Sequence, residues 1–410
     1  MPTSVSPARR IPVLVVGAGP VGLVAALRLR DQGIEVRIVE QHSEQGTQTF
    51  PVVLHPGSLR LLSSLGLTDA LYWRGRSIVQ LAIYTDCERR AVLDLPKVGG
   101  ISPGALTLPQ DVLRKALGSA LAARGVMIEY ATRLTNLQQD ADGARGWLES
   151  SSSSVALTNP NGHELGAFEA DYVIGADGYD SRVRKALGIE LVEHGALQSY
   201  AFFDALTRRA GVEAQLAISE QSSNAVYPVQ GGLARFSFEI ARSLHEAPSV
   251  ETLRELIASR LPWYAERIET LEWSAVAEFR HALAQRFGEG RVWLAGEAAH
   301  LTGPLGVQSL NIGLDEASEL ALRMGEALRH PSQPPFGEHY DRKRRQQWRQ
   351  LLGLEERASL GSRSPDWAWR HLGRLLSCLP ASGSDLDDLL AQLRLTPSVQ
   401  PAGSEGASLR

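Results

Sequence analysis

Three glycine-bearing segments carry residue types and spacings that could do chemistry. The first, Gly17-Ala18-Gly19-Pro20-Val21-Gly22, follows the apolar run Ile11 to Val16 and opens a helical pattern to about Arg30. Such a spacing can hold a pyrophosphate: the first glycine permits a tight turn, the second admits close backbone approach, and the third lets helix and strand pack. Glu40, at the end of a second strand expected from Ile34 to Val39, is placed to accept hydrogen bonds from a ribose. The second segment, Gly175 to Arg184 (GADGYDSRVR), reads by itself as a turn with an N-capping Asp177 or Ser181. The third, Gly296 to Gly313 (GEAAHLTGPLGVQSLNIG), lies between a short buried strand, Val292 to Ala295, and a helical pattern through Leu314, Ala317 and Leu320. A loop that enters a helix N-terminus suits the polar edge of a ligand.

The elements that would position these segments follow from periodicity. Ile11 to Val16 is apolar throughout, as a parallel strand buried on both faces should be. Gly33 reads as a C-cap for the first helix. Residues 41–55 read as polar and irregular, and Pro56 to Leu65 as a short helix. Leu106 to Gly125 reads as an amphipathic helix with Val112, Leu113, Ala116, Leu117 and Leu121 on its apolar face. Strands are expected at Val126–Tyr130, Leu134–Gln138 and Tyr172–Gly175, and loops at the serine run 150–154 and at Asn159-Pro160-Asn161-Gly162. From Tyr200 to about Ile240 the pattern becomes strand-like, then helical from Ser249 to about Ile268, with a strand near Ala275 to Arg280. Helix is expected again to Arg329, broken by residues 331–336, and Asp341 to Leu352 reads as a basic helix with a solvated face. Trp367 and Trp369 are expected to pack, and residues 401–410, which are poor in apolar content, are expected to form a disordered tail.

Composition narrows the class. Of 410 residues, 43% are hydrophobic and 21% charged, which suits a globular chain with a sizeable core. A net charge of -4 gives no reason to expect nucleic acid. Cys87 and Cys378 are far apart, so neither a disulfide framework nor a metal site is expected, and a reducing compartment is. Arg9-Arg10 before an apolar run imitates a signal peptide, but Gly17, Gly19, Pro20 and Gly22 interrupt that run as a strand–turn–helix would. No transmembrane segment is expected, and the localisation expected is cytoplasmic.

Together, GAGPVG with Glu40, then GADGYDSRVR, then GEAAHLTGP with Asn311 and Gly313, resemble the group A flavoprotein monooxygenases, the p-hydroxybenzoate hydroxylase-like aromatic hydroxylases. The resemblance runs from about residue 11 to 350. It implies an α/β fold: a Rossmann-like FAD-binding domain with an inserted, mostly antiparallel β-sheet substrate domain and C-terminal helices. The expected division is residues 1–190 for FAD binding with substrate-side insertions near 68–105, 191–285 for the inserted sheet, and 286–400 for completion of the first domain.

Carried over by position, Gly17, Gly19, Pro20 and Gly22 would meet the FAD pyrophosphate, Glu40 the adenosine ribose, and Leu134 the adenine through its backbone. Gln110 would lie near the FAD. Asp177 and Gly178 would touch both FAD and the reduced nicotinamide, and Gly296 and Glu297 the ribityl chain and pyrophosphate. Pro304, Gly306 and Asn311 would line the flavin ring. Three departures bear on that ring: the family's Gly-Asp reads Gly296-Glu297, and two glycine positions read Val307 and Ser309.

The implied activity is hydroxylation of an aromatic or polyketide-like small molecule with NADPH or NADH and dioxygen, through a flavin C4a-hydroperoxide. The alternatives on the same scaffold are Baeyer–Villiger oxygenation, epoxidation or dehydrogenation, and a non-catalytic flavin-binding protein. Trp367-Ala368-Trp369 lacks the Ile-Pro that a flavin halogenase would carry. His194, Tyr200, Tyr227, Arg235 and His281 lie in or near the inserted sheet and are read as structural, as is His300. No catalytic base is assigned. The chain would act as a monomer or homodimer.

Overall fold

The computed structural model describes residues 10–43, 51–99, 104–151, 166–207, 211–241, 247–264, 268–332, 336–354 and 365–395. The expected loop at residues 159–162, most of the serine run and the tail at 401–410 lie outside them.

The first sheet is built on Ile11–Val16, whose inner four residues are buried. It pairs in parallel with Val36–Val39 on one side and with Gly166–Gly175 on the other. Ile128–Glu129 extends the first side and Val292–Leu294 the second, again in parallel. The chain therefore reverses its direction of growth at the first strand. In such sheets a crevice opens beyond the carboxyl ends of the strands at that switch point. Gly17 and Ala176 leave the two central strands there, and the Gly17 amide donates to Val39 O at 2.8 Å.

The second sheet has seven strands in the order Ile268–Phe279, Gln198–Thr207, Leu233–Ile240, Ser223–Pro228, Glu213–Ile218, Gln80–Thr85 and Glu88–Asp94. All neighbours are antiparallel except Glu213–Ile218 with Gln80–Thr85, which run parallel. Residues 80–94 thus complete a sheet built mainly from residues 198–279. Alternation divides its side chains between two cores: Phe203, Phe236 and Phe238 pack under the helix Val250–Arg260, while Tyr200 and Phe202 face the C-terminal helices.

Three expected segments are corrected. Residues 51–54 form a strand, not an irregular segment, because they pair antiparallel with Ala105–Pro109. Leu106 to Pro109 is correspondingly that strand, and the helix runs only from Gln110 to Ala123. The signal was Pro109, which disfavours helical geometry at the residue before it. The helical stretch expected to Ile268 is likewise confined to Val250–Arg260.

The basic helix, Gly337–Leu351, does not present only a solvated face. Tyr340, Arg344, Trp348 and Leu351 recur at helical spacing and are buried. Arg344 pairs with Asp315 at 2.8 Å and Glu319 at 2.5 Å on the long helix Gln308–Arg329. Trp367 packs against the second core while Trp369 stays exposed.

Between the two helices lies Glu316, fully buried. Its Oε2 accepts the Gly296 amide at 2.8 Å and His300 Nε2 at 2.9 Å, and its Oε1 accepts Trp348 Nε1 at 2.8 Å. The His300 ring stacks on Trp348 with centroids 3.8 Å apart. Burial alone would push the Glu316 carboxyl up, but His300, Arg344 and the Gly296 amide together hold it below the usual carboxylate range. Glu316→Ala would strand three buried donors. It should cost about 3 kcal/mol in chemical denaturation, with Glu316→Gln losing less; a loss under about 1 kcal/mol for the alanine variant would show that the carboxylate does not hold these elements together.

Candidate flavin and substrate site

Two cavities meet at the crevice. The smaller, about 300 Å³, is lined by Gly17, Gly19, Glu40, Leu134, Asp177 and Gly178 among others. The larger, about 550 Å³, lies between the first sheet's loops and the seven-stranded sheet. Tyr179 and Glu297 line both.

Close approach fixes the residue types of the smaller cavity. A Cβ on Gly17, whose φ is +103°, would stand 2.2 Å from Ala176 O, and one on Gly22 would stand 1.9 Å from Gly17 O. Gly19 differs: a Cβ there would meet nothing within 4 Å, and its φ of -69° suits any residue. Its side opens to the cavity, not to the fold. Pro20 starts the helix Pro20–Asp31, whose first-turn amides lack intrahelical partners. Glu40 is held by two amides, Ala18 N–H to Oε2 at 2.9 Å and His42 N–H to Oε1 at 3.0 Å. A carboxylate has about four acceptor sites, so this restraint leaves capacity for a ligand's hydroxyls.

Asp177 works on its own loop. Its carboxylate accepts Ser181 Oγ–H at 2.6 Å and the Arg182 amide at 2.7 Å, and Ser181 caps the following turn through the Arg184 amide. Arg184, buried, donates to Tyr179 O and Ala298 O, both at 2.8 Å, and so ties the second motif to the third. Glu297 is open to solvent at the cleft mouth yet enclosed by protein on most sides; that enclosure pushes its carboxyl up, against the pull of His300. Gly296 has φ +65° and its Cβ position faces Val21, while a Cβ on Gly313 would stand 3.0 Å from Gly296 Cα.

In the larger cavity, Gln110, Pro304, Val307 and Ser309 belong to the lining, but Gly306 and Asn311 do not. A Cβ on Gly306 would meet Ser377 O at 2.2 Å, so that glycine serves contact with the C-terminal segment. Asn311 is turned inward: it accepts the His55 amide at 2.8 Å and donates to Val53 O and Val307 O. Three successive loop carbonyls are captured by side chains. Leu305 O takes Tyr227 O–H at 2.9 Å, Gly306 O takes His55 Nε2 at 2.7 Å, and Val307 O takes Asn311 Nδ2 at 2.8 Å. With the carbonyls held in the protein, the partnerless amides of the next helix's first turn are the donors left for the cavity, where Ser309 and Leu310 line it. His55 and this arrangement had no signal in the sequence beyond an X-Pro pair.

Of the histidine, tyrosine and arginine side chains singled out near the inserted sheet, Tyr227 and Arg235 line the larger cavity. Tyr200 and His281 line a separate space of about 240 Å³ behind Gly303 and Leu305. His194 lines neither; its amide bonds His281 O. His300 is structural, through Glu316.

The residues present fit a flavin dinucleotide. The glycine cradle admits no side chain at Gly17 or Gly22. The hydroxyls of Thr107, Thr302 and Ser309 are buried on the larger cavity with no hydrogen-bond partner among the described residues. Such groups are satisfied by a polar ligand edge.

Comparison with known proteins agrees with this geometry. Residues 10–354 match the family model described as FAD binding domain. The chain is 26% identical to 6-methylpretetramide 4-monooxygenase of Streptomyces rimosus over 330 residues, covering 77% of this chain and 56% of the relative. It is 27% identical to tetracenomycin B2 monooxygenase-dioxygenase of Streptomyces olivaceus, covering 96% and 73%. The chain thus spans roughly half to three-quarters of the length of these two relatives. Its fold is that of p-nitrophenol 4-monooxygenase from Pseudomonas putida DLL-E4, with a TM-score of 0.69, 20% identity, and coverage of 95% and 99%. No helix among the described residues is long and apolar enough to cross a membrane.

Gly19→Trp should fold normally yet lose its bound FAD, read as flavin absorbance per chain after purification; normal flavin content would remove Gly19 from the cofactor cradle. Acid should act through His55. Burial outweighs its bond to Gly306 and lowers its pKa from 6.5 to about 3. A lowered folded value means protons favour the unfolded state, so stability is complete above 6.5 and declines as pH falls toward 3. His55→Asn should flatten that decline in denaturation midpoints measured from pH 7 to 4, and an unchanged slope would acquit His55.

Proposed function

The chain belongs to the FAD-binding-domain family of the group A flavin-dependent monooxygenases, and from that premise we propose that it hydroxylates an aromatic or polyketide-like small molecule with NAD(P)H and dioxygen. The observation that carries the reading is the continuity of the two cavities through Tyr179 and Glu297: one is glycine-built and polar, the other broad and largely aromatic or aliphatic. When bound, the flavin supplies redox chemistry with the nicotinamide and activation of oxygen.

The chain's own residues bind, orient and exclude water. The amides around Gly17 and Gly19 and the helix they open would hold the pyrophosphate, and Glu40 the ribose. The Leu134 backbone would meet the adenine, Glu297 the ribityl chain, and Gln110, Pro304, Val307 and Ser309 the ring. Gly22, Gly296, Gly306 and Asn311 support that site by packing, as the Cβ distances and the Asn311 bonds indicate. First-turn amides at Ser309 and Leu310 would stabilise negative charge on the ring's polar edge. Phe202, Phe279, Leu301 and Leu305 would give the chamber beyond an apolar wall. The two cysteines are unpaired, as suits the reducing cytoplasm where reduced nicotinamides are supplied.

Labelled dioxygen tests the reading. FAD-loaded protein given NAD(P)H and a panel of phenols, quinolones and polycyclic aromatics should place one labelled oxygen in at least one product. Substrate-stimulated nicotinamide oxidation in which the product gains no label would instead assign a dehydrogenation on the same scaffold.

A further inference from the structure

We propose that Arg235, neutralised by Asp204, is the specificity-determining donor of the larger cavity, and that it selects planar aromatics presenting a carbonyl or hydroxyl oxygen over those presenting a carboxylate. This rests on reading that cavity as the aromatic-substrate chamber.

Arg235 and Ser237 stand two residues apart on Leu233–Ile240, so both side chains take the same face, and both line the cavity. Phe236 and Phe238 alternate to the opposite core. On the neighbouring strand, Asp204 lies opposite Arg235 and Phe202 opposite Ser237. Arg235 donates Nε and Nη2 to the two Asp204 oxygens, each at 2.6 Å. The pair is withdrawn from solvent, with side-chain exposures of 8% and 14%. The guanidinium carbon sits 5.0 Å from the Trp273 ring centroid and 5.9 Å from that of Phe202. Pairing and stacking together fix the plane of the fork.

Nη1 makes no hydrogen bond among the described residues, although Arg235 is on the cavity wall. The site therefore offers a directed N–H donor without net charge. A carboxylate arriving there would surrender its hydration to meet a guanidinium already satisfied by Asp204, whose own charge would repel it. A carbonyl or phenolic oxygen surrenders far less and still receives the bond. Phe202 and Phe279 supply the faces for the rest of a planar ligand.

Calorimetric titration of the FAD-loaded full chain with 1-naphthol, 1-naphthoate and naphthalene reads the preference. Wild type should bind 1-naphthol at least about tenfold tighter than 1-naphthoate, and also tighter than naphthalene. Asp204→Asn leaves the guanidinium charge uncompensated and should shift the ratio by about tenfold or more toward 1-naphthoate. The double variant D204N/R235M removes both charges and the donor, and should bind 1-naphthol no better than naphthalene. Equal or tighter wild-type binding of 1-naphthoate would overturn the proposal. So would an unshifted ratio in folded D204N, or a persisting 1-naphthol preference in the double variant, which also serves if D204N does not fold. A chain that takes up no flavin would defeat the proposed function separately, and the same titrations on that flavin-free chain would still read the Arg235 preference.

Discussion

A carboxylate with no exposure to solvent is costly unless its oxygens are occupied, and Glu316 occupies them with three donors, two from the segment 296–300 and one from the basic helix. Gly296 begins the loop that follows the strand Val292–Leu294, His300 starts the short strand that pairs with Ala282–Ala284, and Trp348 lies on the basic helix. None of the three can move far without orphaning a buried polar atom. The position of the long helix relative to the first sheet follows from this knot, and with it the position of the helix's N-terminal turn at the cavity. Arg344 then compensates the acidic side of the same helix through Asp315 and Glu319, whose carboxyl is held at about 2 despite its partial burial.

Much of the nucleotide half was legible because it is local. A buried strand, a turn that admits only glycine and a helix entered through Pro20 are written in consecutive residues, and Gly17 and Gly22 leave no room for any other side chain. The serine and aspartate of the second motif could be read as caps for the same reason, and they are caps. What was hidden is non-local. Residues 51–54 look irregular until Ala105–Pro109 lies beside them, and nothing near residues 80–94 announces a parallel pairing with Glu213–Ile218. The solvated reading of Asp341 to Leu352 holds for Arg342, Lys343 and Gln346 but not for the opposite face, because its charges were counted without the partners that bury Arg344 and Trp348.

The third motif shows a subtler limit. Position in a motif was a sound guide to the neighbourhood of Gly306 and Asn311, but not to the direction in which they face. Gly306 is small because a backbone carbonyl of the C-terminal segment passes 2.2 Å from where its Cβ would be. Asn311 is an amide because it must accept from His55 and donate to two carbonyls at once, which no carboxylate or hydroxyl could do.

Val307 completes that argument. It is β-branched yet adopts φ +49°, ψ 35°, a left-handed geometry that costs such a residue roughly 1–2 kcal/mol. The cost is borne because the same peptide is clamped on either side: Tyr227 and His55 hold the two preceding carbonyls, and Asn311 holds that of Val307 itself. Glycine in the same place would reach this conformation freely and leave it freely; valine reaches it only under restraint. The departure from glycine thus makes the loop stiffer, and it transfers the burden of shaping the cavity from one permissive residue to three side chains drawn from the inserted sheet, the turn before Pro56 and the long helix. A loop so held presents the helix's first-turn amides at a fixed angle, which is what preorganised stabilisation of charge requires.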